Sequence, residues 1–217
     1  MSLLFRPKYN HLARLGLILA ASAVAGGLSA LLIYVRTPIA RGMQDPVEQP
    51  IQFDHRHHVR DVGIDCRFCH QTVDKSAHAG IPPTQLCMNC HSQIWNGSPM
   101  LSKVRESFLE NRPIVWTKVN DVPDFVYFNH SIHVSKGVGC VTCHGRVDQM
   151  AAVEKAKPLT MGWCLDCHRN PAPNLRPVEE VTNMEWTPPE GDAETSGKAL
   201  AERYDVHTRT SCTTCHR

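Results

Sequence analysis

Apolar and polar positions are divided unevenly along the chain. Residues 15–35, LGLILAASAVAGGLSALLIYV, carry no charge. That is 21 residues, and about 20 are needed to carry a helix across the hydrocarbon core of a bilayer. The pattern therefore predicts one transmembrane helix near the N-terminus. Much of the 42% apolar content is spent there, and with four Trp, four Tyr and six Phe the remainder is thin material for a protein core.

Arg6, Lys8 and Arg14 precede the apolar stretch and no acid accompanies them. The positive-inside rule then predicts a cytoplasmic N-terminus over 1–14, an anchor over 15–35, a linker over 36–52 and everything later on the outer side of the cytoplasmic membrane. A cleaved signal peptide is the alternative, with a small-residue pattern at Ala21, Ser22 and Ala23. Cleavage there would leave an apolar region at the short end of the signal-peptide range, so the length favours an anchor. Ala20, Ala23, Gly26, Gly27 and Ala30 would let a second helix approach closely, although small residues are also common filler in such helices.

Beyond the anchor the pattern repeats. FDHRHHV at 53–59 matches FNHSIHV at 128–134, and His55 and His58 each lie 75 residues before His130 and His133. Each segment is followed by a Gly and then by two cysteine motifs. Residues 53–100 and 128–177 therefore read as two versions of one module. They are joined by 101–127 and followed by a C-terminal segment, 178–217, with no further domain expected after it.

Composition sharpens the picture in one respect. A net charge of +2 without a basic block gives nucleic-acid binding no support. Ten Cys and thirteen His, in contrast, are many for 217 residues. Every Cys belongs to a Cys-x-x-Cys-His unit: Cys66, Cys69 and His70; Cys87, Cys90 and His91; Cys140, Cys143 and His144; Cys164, Cys167 and His168; Cys212, Cys215 and His216. Two thiols three positions apart reach the two vinyl groups of one haem, and the adjacent His projects under the porphyrin to bind iron. Zinc ribbons and thiol–disulfide exchange also use Cys-x-x-Cys, but neither requires the His. Five of five such His by chance is on the order of one in a million at this His content. A disulfide framework would leave the His unexplained. The spacing thus predicts five covalently bound haem c groups. With roughly 35 residues per haem the polypeptide cannot build a conventional core. The fold class expected is a multihaem cytochrome c, with short helices around the motifs, long irregular connections and little sheet.

Each module holds two attachment motifs and two repeated upstream His, so His55, His58, His130 and His133 are the expected distal iron ligands. His57 has no counterpart in the second module and is expected to be unliganded. His78 also lacks one and stays ambiguous, and His11 precedes the anchor. The fifth haem needs another ligand, for which His207, Met150 and Met161 are the candidates. A Met sulfur would raise that haem's potential, although Met serves more often in packing.

The Phe-x-His-x-x-His module with its two motifs resembles the small multihaem cytochromes of the c7 and class III type. The anchor, KSAHAGIPPTQLCMNCH, FNHSIHVSKGVGCVTCHGRVDQM, PLTMGWCLDCHRNP and a fifth motif together resemble the pentahaem cytochrome subunit of bacterial alternative complex III. That resemblance covers nearly all residues after 50. It implies a quinol-oxidising respiratory or photosynthetic complex in which this subunit accompanies iron–sulfur, polytopic quinol-binding and monohaem cytochrome subunits and passes electrons to a periplasmic acceptor.

Three functions compete on the sequence. An electron-relay subunit without a catalytic site of its own fits a full set of iron ligands. A stand-alone, membrane-anchored multihaem quinol dehydrogenase would need a quinol pocket beside the first haem, which the bland linker 36–52 does not exclude. A multihaem reductase would keep an iron position open, which five complete motifs and abundant His argue against.

Overall fold

The computed structural model describes residues 8–189 and 192–216; Arg6 of the basic N-terminal cluster lies outside them. The chain divides into two units, one ending at Met43 and the other beginning at Gln44.

The first unit is built on one helix, α1, Tyr9–Tyr34. It starts upstream of the uncharged stretch, so His11 and Arg14 lie in its first turns, and Val35 caps its C-terminus. At 1.5 Å per residue its 26 residues extend about 39 Å, more than the roughly 30 Å hydrocarbon core. None of its residues is buried within the unit, as an apolar helix facing lipid requires. Tyr9 and Tyr34 stand at its two ends, where amphipathic rings favour the membrane–water interface. At the C-terminal end Arg36 Nη1 donates to the Leu32 carbonyl at 2.6 Å and Arg41 Nε to the Val35 carbonyl at 3.3 Å. Both cations satisfy carbonyls that the helix leaves open.

The second unit contains short helices and no sheet among the described residues, only isolated antiparallel bridges between Pro46 and Glu154 and between Val138 and Leu175. Five helices carry the cysteine motifs: α2, Cys66–Cys69; α3, Thr84–His91; α6, Cys140–His144; α7, Met161–Arg169; and α9, Cys212–Cys215. Between them lie α4, Ser102–Glu110, α5, His130–Ser135, and α8, Ala193–Arg203. The first His-x-x-His segment winds into a single π-helical turn, Arg56–Asp61.

Packing in this unit is local. Thr84 and Ser107 share a buried hydrogen bond of 2.6 Å that fixes α3 against α4. Gly197 lets α8 lie directly on the 3₁₀ turn Ala172–Asn174, where an added Cβ would press into the Ala172 backbone. Val73, Val134 and Val181 form a small apolar cluster with Ala79 packed on it. Val181, at 1% exposed, is the one large side chain almost wholly removed from solvent among the described residues. The polypeptide alone thus lacks the continuous core of an ordinary domain of this length.

Candidate haem-binding sites

Each motif helix begins at a residue in extended conformation, which turns the first cysteine into the helix. Asp65 accepts from the Arg67 amide to start α2, and Thr160 accepts from Trp163 to start α7, both ordinary N-caps. Burial pushes the Cys66 thiol up to about 11 and the Cys143 thiol up to about 12. Attachment as a thioether removes that ionisable proton and suits a buried sulfur.

The two Phe-x-His-x-x-His segments have one geometry. Phe53 stacks on His58 with centroids 4.3 Å apart and meets His55 edge-on at 4.7 Å. Phe128 stacks on His133 at 4.6 Å and meets His130 edge-on at 4.7 Å. The Phe therefore fixes both ring planes.

These rings face the motif histidines. His58 lies 6.1 Å from His91, His133 lies 6.1 Å from His168, and His130 lies 6.4 Å from His144, centroid to centroid. A metal–imidazole bond is about 2.0 Å. A ring nitrogen lies about 1.1 Å from its centroid, so two imidazoles on opposite sides of one metal stand about 6.2 Å apart. The three observed pairs fit a shared iron. For His55, after burial, the largest influence on its charge is His70, which corresponds in the repeat to His144, the partner of His130.

Which ring nitrogen would be open to a metal follows from what the other one bonds. Nδ1 of His58, His70, His91, His130, His133, His168 and His216 lies 2.7–3.1 Å from a backbone carbonyl. A carbonyl only accepts, so Nδ1 carries the proton and the Nε2 lone pair is left for iron. His144 Nδ1 meets the Asn120 amide at 3.1 Å, while Asn120 Oδ1 is buried without a partner. Turning the amide over lets Oδ1 accept from His144. His55 Nδ1 is buried without a partner. Burial is the main force lowering the pKa of His55 and His144 to about 4, and it also lowers those of His130 and His133. Neutral imidazole is the form that ligates.

The remaining candidates separate by position. His207 turns Nε2 onto Asp205 at 2.7 Å, occupying the nitrogen that ligation uses. Met150 sits in the third motif's surroundings, with its carbonyl accepting from Arg56 and its methyl facing Gly145. Met161 opens α7, three residues before Cys164 and so on the same face, with its side chain 69% exposed. His57 pairs with Asp61 and stacks on Trp95. His78 is exposed, and its carbonyl accepts from Thr72. The Phe clamps, the carbonyl acceptors and Asn120 were not singled out from the sequence; the duplicated Phe was the available signal.

The motifs also contact one another. The thiols of Cys69 and Cys87, of Cys66 and Cys140, of Cys143 with Cys164 and Cys167, and of Cys164 and Cys215 act on one another's charge through space. Hydrogen bonds tie the same neighbours. His130 Nδ1 donates to Ala77 beyond motif 1, and His168 Nδ1 to Arg209 ahead of motif 5. The Tyr127 amide donates to Cys215 at 2.8 Å. An open hollow of about 300 Å³ bounded by Thr142, Trp163 and Cys167 lies between the third and fourth motifs.

Short helices without sheet, imidazoles paired across a metal's width and cysteines grouped at each pair define a multihaem cytochrome fold. Residues 126–217 match the family described as cytochrome c7 and related cytochrome c, for which covalently bound haem c is implied. The chain is also 32% identical over 119 residues to the multihaem cytochrome c subunit of menaquinone reductase from Nitratidesulfovibrio vulgaris. The match covers 54% of this chain and 56% of that subunit, so the chain spans about half the length of the curated relative.

Proposed function

We propose that this chain is a membrane-anchored pentahaem cytochrome c that relays electrons from a quinol-oxidising membrane complex towards an acceptor on the periplasmic side. The observation that carries the reading is the set of imidazole pairs at metal-spanning distance, five of whose six Nδ1 atoms are hydrogen-bonded to backbone carbonyls. An iron held by two such imidazoles would have no place for substrate and would serve electron transfer. Bound haem supplies one-electron iron chemistry. The chain's part is to attach, ligate and space five such groups.

The contacts between motifs support a linear order: motif 2, motif 1, motif 3, motif 4, motif 5. His55 and His58 on one turn join the first two, His130 and His133 on α5 join the middle two, and the bonds to Ala77 and Arg209 make the other junctions. Met161 is the ligand we assign to the fifth site, because it lies on α7, whose His168 bonds to the Arg209 carbonyl just ahead of the fifth motif. Thioether ligation would lift the potential of that end above bis-histidine neighbours and would favour electron flow from motif 2 towards motif 5.

Quinone linkage is supported by the relative named a menaquinone reductase subunit. The resemblance to alternative complex III supports partners of the iron–sulfur, polytopic quinol-binding and monohaem cytochrome kinds. α1 holds the subunit to the membrane, and Lys8 and Arg14 ahead of the apolar stretch favour a haem domain outside. The test is reduction by a menaquinol or ubiquinol analogue in liposomes, with the purified subunit alone and with the intact complex. Rapid reduction in the complex and negligible reduction of the lone subunit is expected. Equal rates would assign the quinol site to this chain and replace the relay reading with a stand-alone dehydrogenase.

A further inference from the structure

Arg176 is buried, at 7% exposed, and forms no salt bridge among the described residues. Nη1 donates to the Asn183 carbonyl at 2.8 Å, and the guanidinium carbon stands 5.1 Å from the Trp186 ring centre. Nε is buried with no hydrogen-bond partner. A buried cation held in no direct ion pair is costly; Glu180 acts on Arg176 only through space, and arginine does not escape by deprotonating.

The backbone fixes where this cation sits. The Arg176 amide donates to the Gly137 carbonyl at 2.8 Å, and the bridge between Val138 and Leu175 continues the pairing. The guanidinium consequently lies over Gly139, the residue before Cys140. A Cβ on Gly139 would meet Nη2 at 2.7 Å and would press harder still on Nε and Cζ. Gly139 has φ −69° and ψ 143°, which any residue adopts, so the glycine is there to make room. The Cys140 amide is already satisfied by Val181 at 2.9 Å. A guanidinium only donates, so it cannot cap the open amides at the start of the motif helix.

We propose that Arg176 sets the reduction potential of the haem attached at Cys140 and Cys143, its fixed cation beside the attachment edge favouring the reduced iron. The proposal rests on haem attachment at the third motif. Oxidised haem iron carries one more positive charge than reduced iron. A fixed cation in surroundings of low dielectric destabilises the oxidised form more. The step is the gain of one electron from the neighbouring carrier, with no bond made or broken. Arg176 acts here as a positioning charge and not as a catalytic residue.

The experiment compares the full-length haem-loaded protein with R176M, R176K and G139A. Mass analysis of the peptide containing Cys140 and Cys143 comes first, and its lack of haem in the unaltered protein would overturn the underlying reading. Redox titration follows, with the third-motif haem assigned by magnetic resonance. R176M should shift that haem's reduction equilibrium towards the oxidised form by about ten-fold, which is about 59 mV for one electron. R176K should retain the original equilibrium, and G139A, which displaces the guanidinium without removing it, should move it in the R176M direction. A fully loaded R176M within about two-fold of the original equilibrium would overturn the proposal. So would R176K shifting as far as R176M, because that marks a purely structural role. If R176M does not mature, G139A decides in the same way.

Discussion

Replacing Asn129 by Ala probes how the fold holds the middle ligands. Asn129 caps α5, a helix of six residues that carries both His130 and His133. Its Oδ1 accepts from the Ser131 amide at 2.9 Å and from the Ser131 hydroxyl at 2.8 Å. Loss of an N-cap typically costs about 1 kcal/mol. Here the Ser131 amide also lies 3.1 Å from the Ser76 carbonyl, so part of its bonding survives. The cost should fall to about 0.5–1 kcal/mol, which raises the population of frayed α5 by roughly two- to five-fold. The His133 bond to the Asn129 carbonyl is made by backbone and persists. The assay is carbon monoxide uptake by the reduced protein, which reports iron left open when a distal imidazole swings away. N129A should take up carbon monoxide two- to five-fold faster, on the same arithmetic, and N129D, which keeps the acceptor, should match the original protein. Unchanged uptake in fully loaded N129A, or N129D as impaired as N129A, would refute the link from cap to ligand.

Other substitutions read different parts of the structure. G197A would gain helix propensity of up to about 1 kcal/mol, but the Ala172 backbone blocks the new methyl. Overpacking of about 1–3 kcal/mol should win, giving a net loss of stability measurable by denaturant titration; a stabilised variant would contradict the close packing of α8. M161L should remove the methionine–iron charge-transfer band and lower the potential of the fifth haem, and an unchanged spectrum would exclude Met161 as ligand. Hydrogen bonds from Arg67 hold the Asp65 carboxyl down at about 2. Its stabilising effect is therefore present above about pH 4 and lost as pH falls through about 2. D65N should flatten that part of the stability–pH profile, and an unaltered profile would remove Asp65 from the account.

The Cys-x-x-Cys-His units were legible because their spacing is fixed, and the long apolar helix because its length and lack of charge stand in the chain itself. The duplicated His were legible because the repeat offsets agree. Pairing was harder. That His58 faces His91 and His133 faces His168 depends on how the chain returns over irregular connections, which no local period encodes. The Nδ1 acceptors were hidden for a related reason. Ala77, Gly80, Ile94, Phe125 and Arg209 act through backbone carbonyls, so their side chains carry no signature. Arg176 read as one basic residue among many, because its burial arises from a bridge pairing that composition does not reveal. For the fifth site, three candidate ligands were open in the sequence. His207 carries a carboxylate neighbour two residues away, and only folding shows that it uses it.

The proposed relay requires five bound haems, each with two protein ligands. Electron paramagnetic resonance of the oxidised full-length protein, taken with its intact mass, tests it most directly. The His130 and His144 planes lie within 10° of each other, while the His58–His91 and His133–His168 planes cross at 64° and 60°. Near-parallel imidazoles give an ordinary rhombic low-spin signal and crossed ones a highly anisotropic low-spin signal. The account predicts a mass of the chain plus five haems and both kinds of low-spin signal, with no high-spin iron. A mass short of five haems, or an axial high-spin signal from the intact protein, would contradict it.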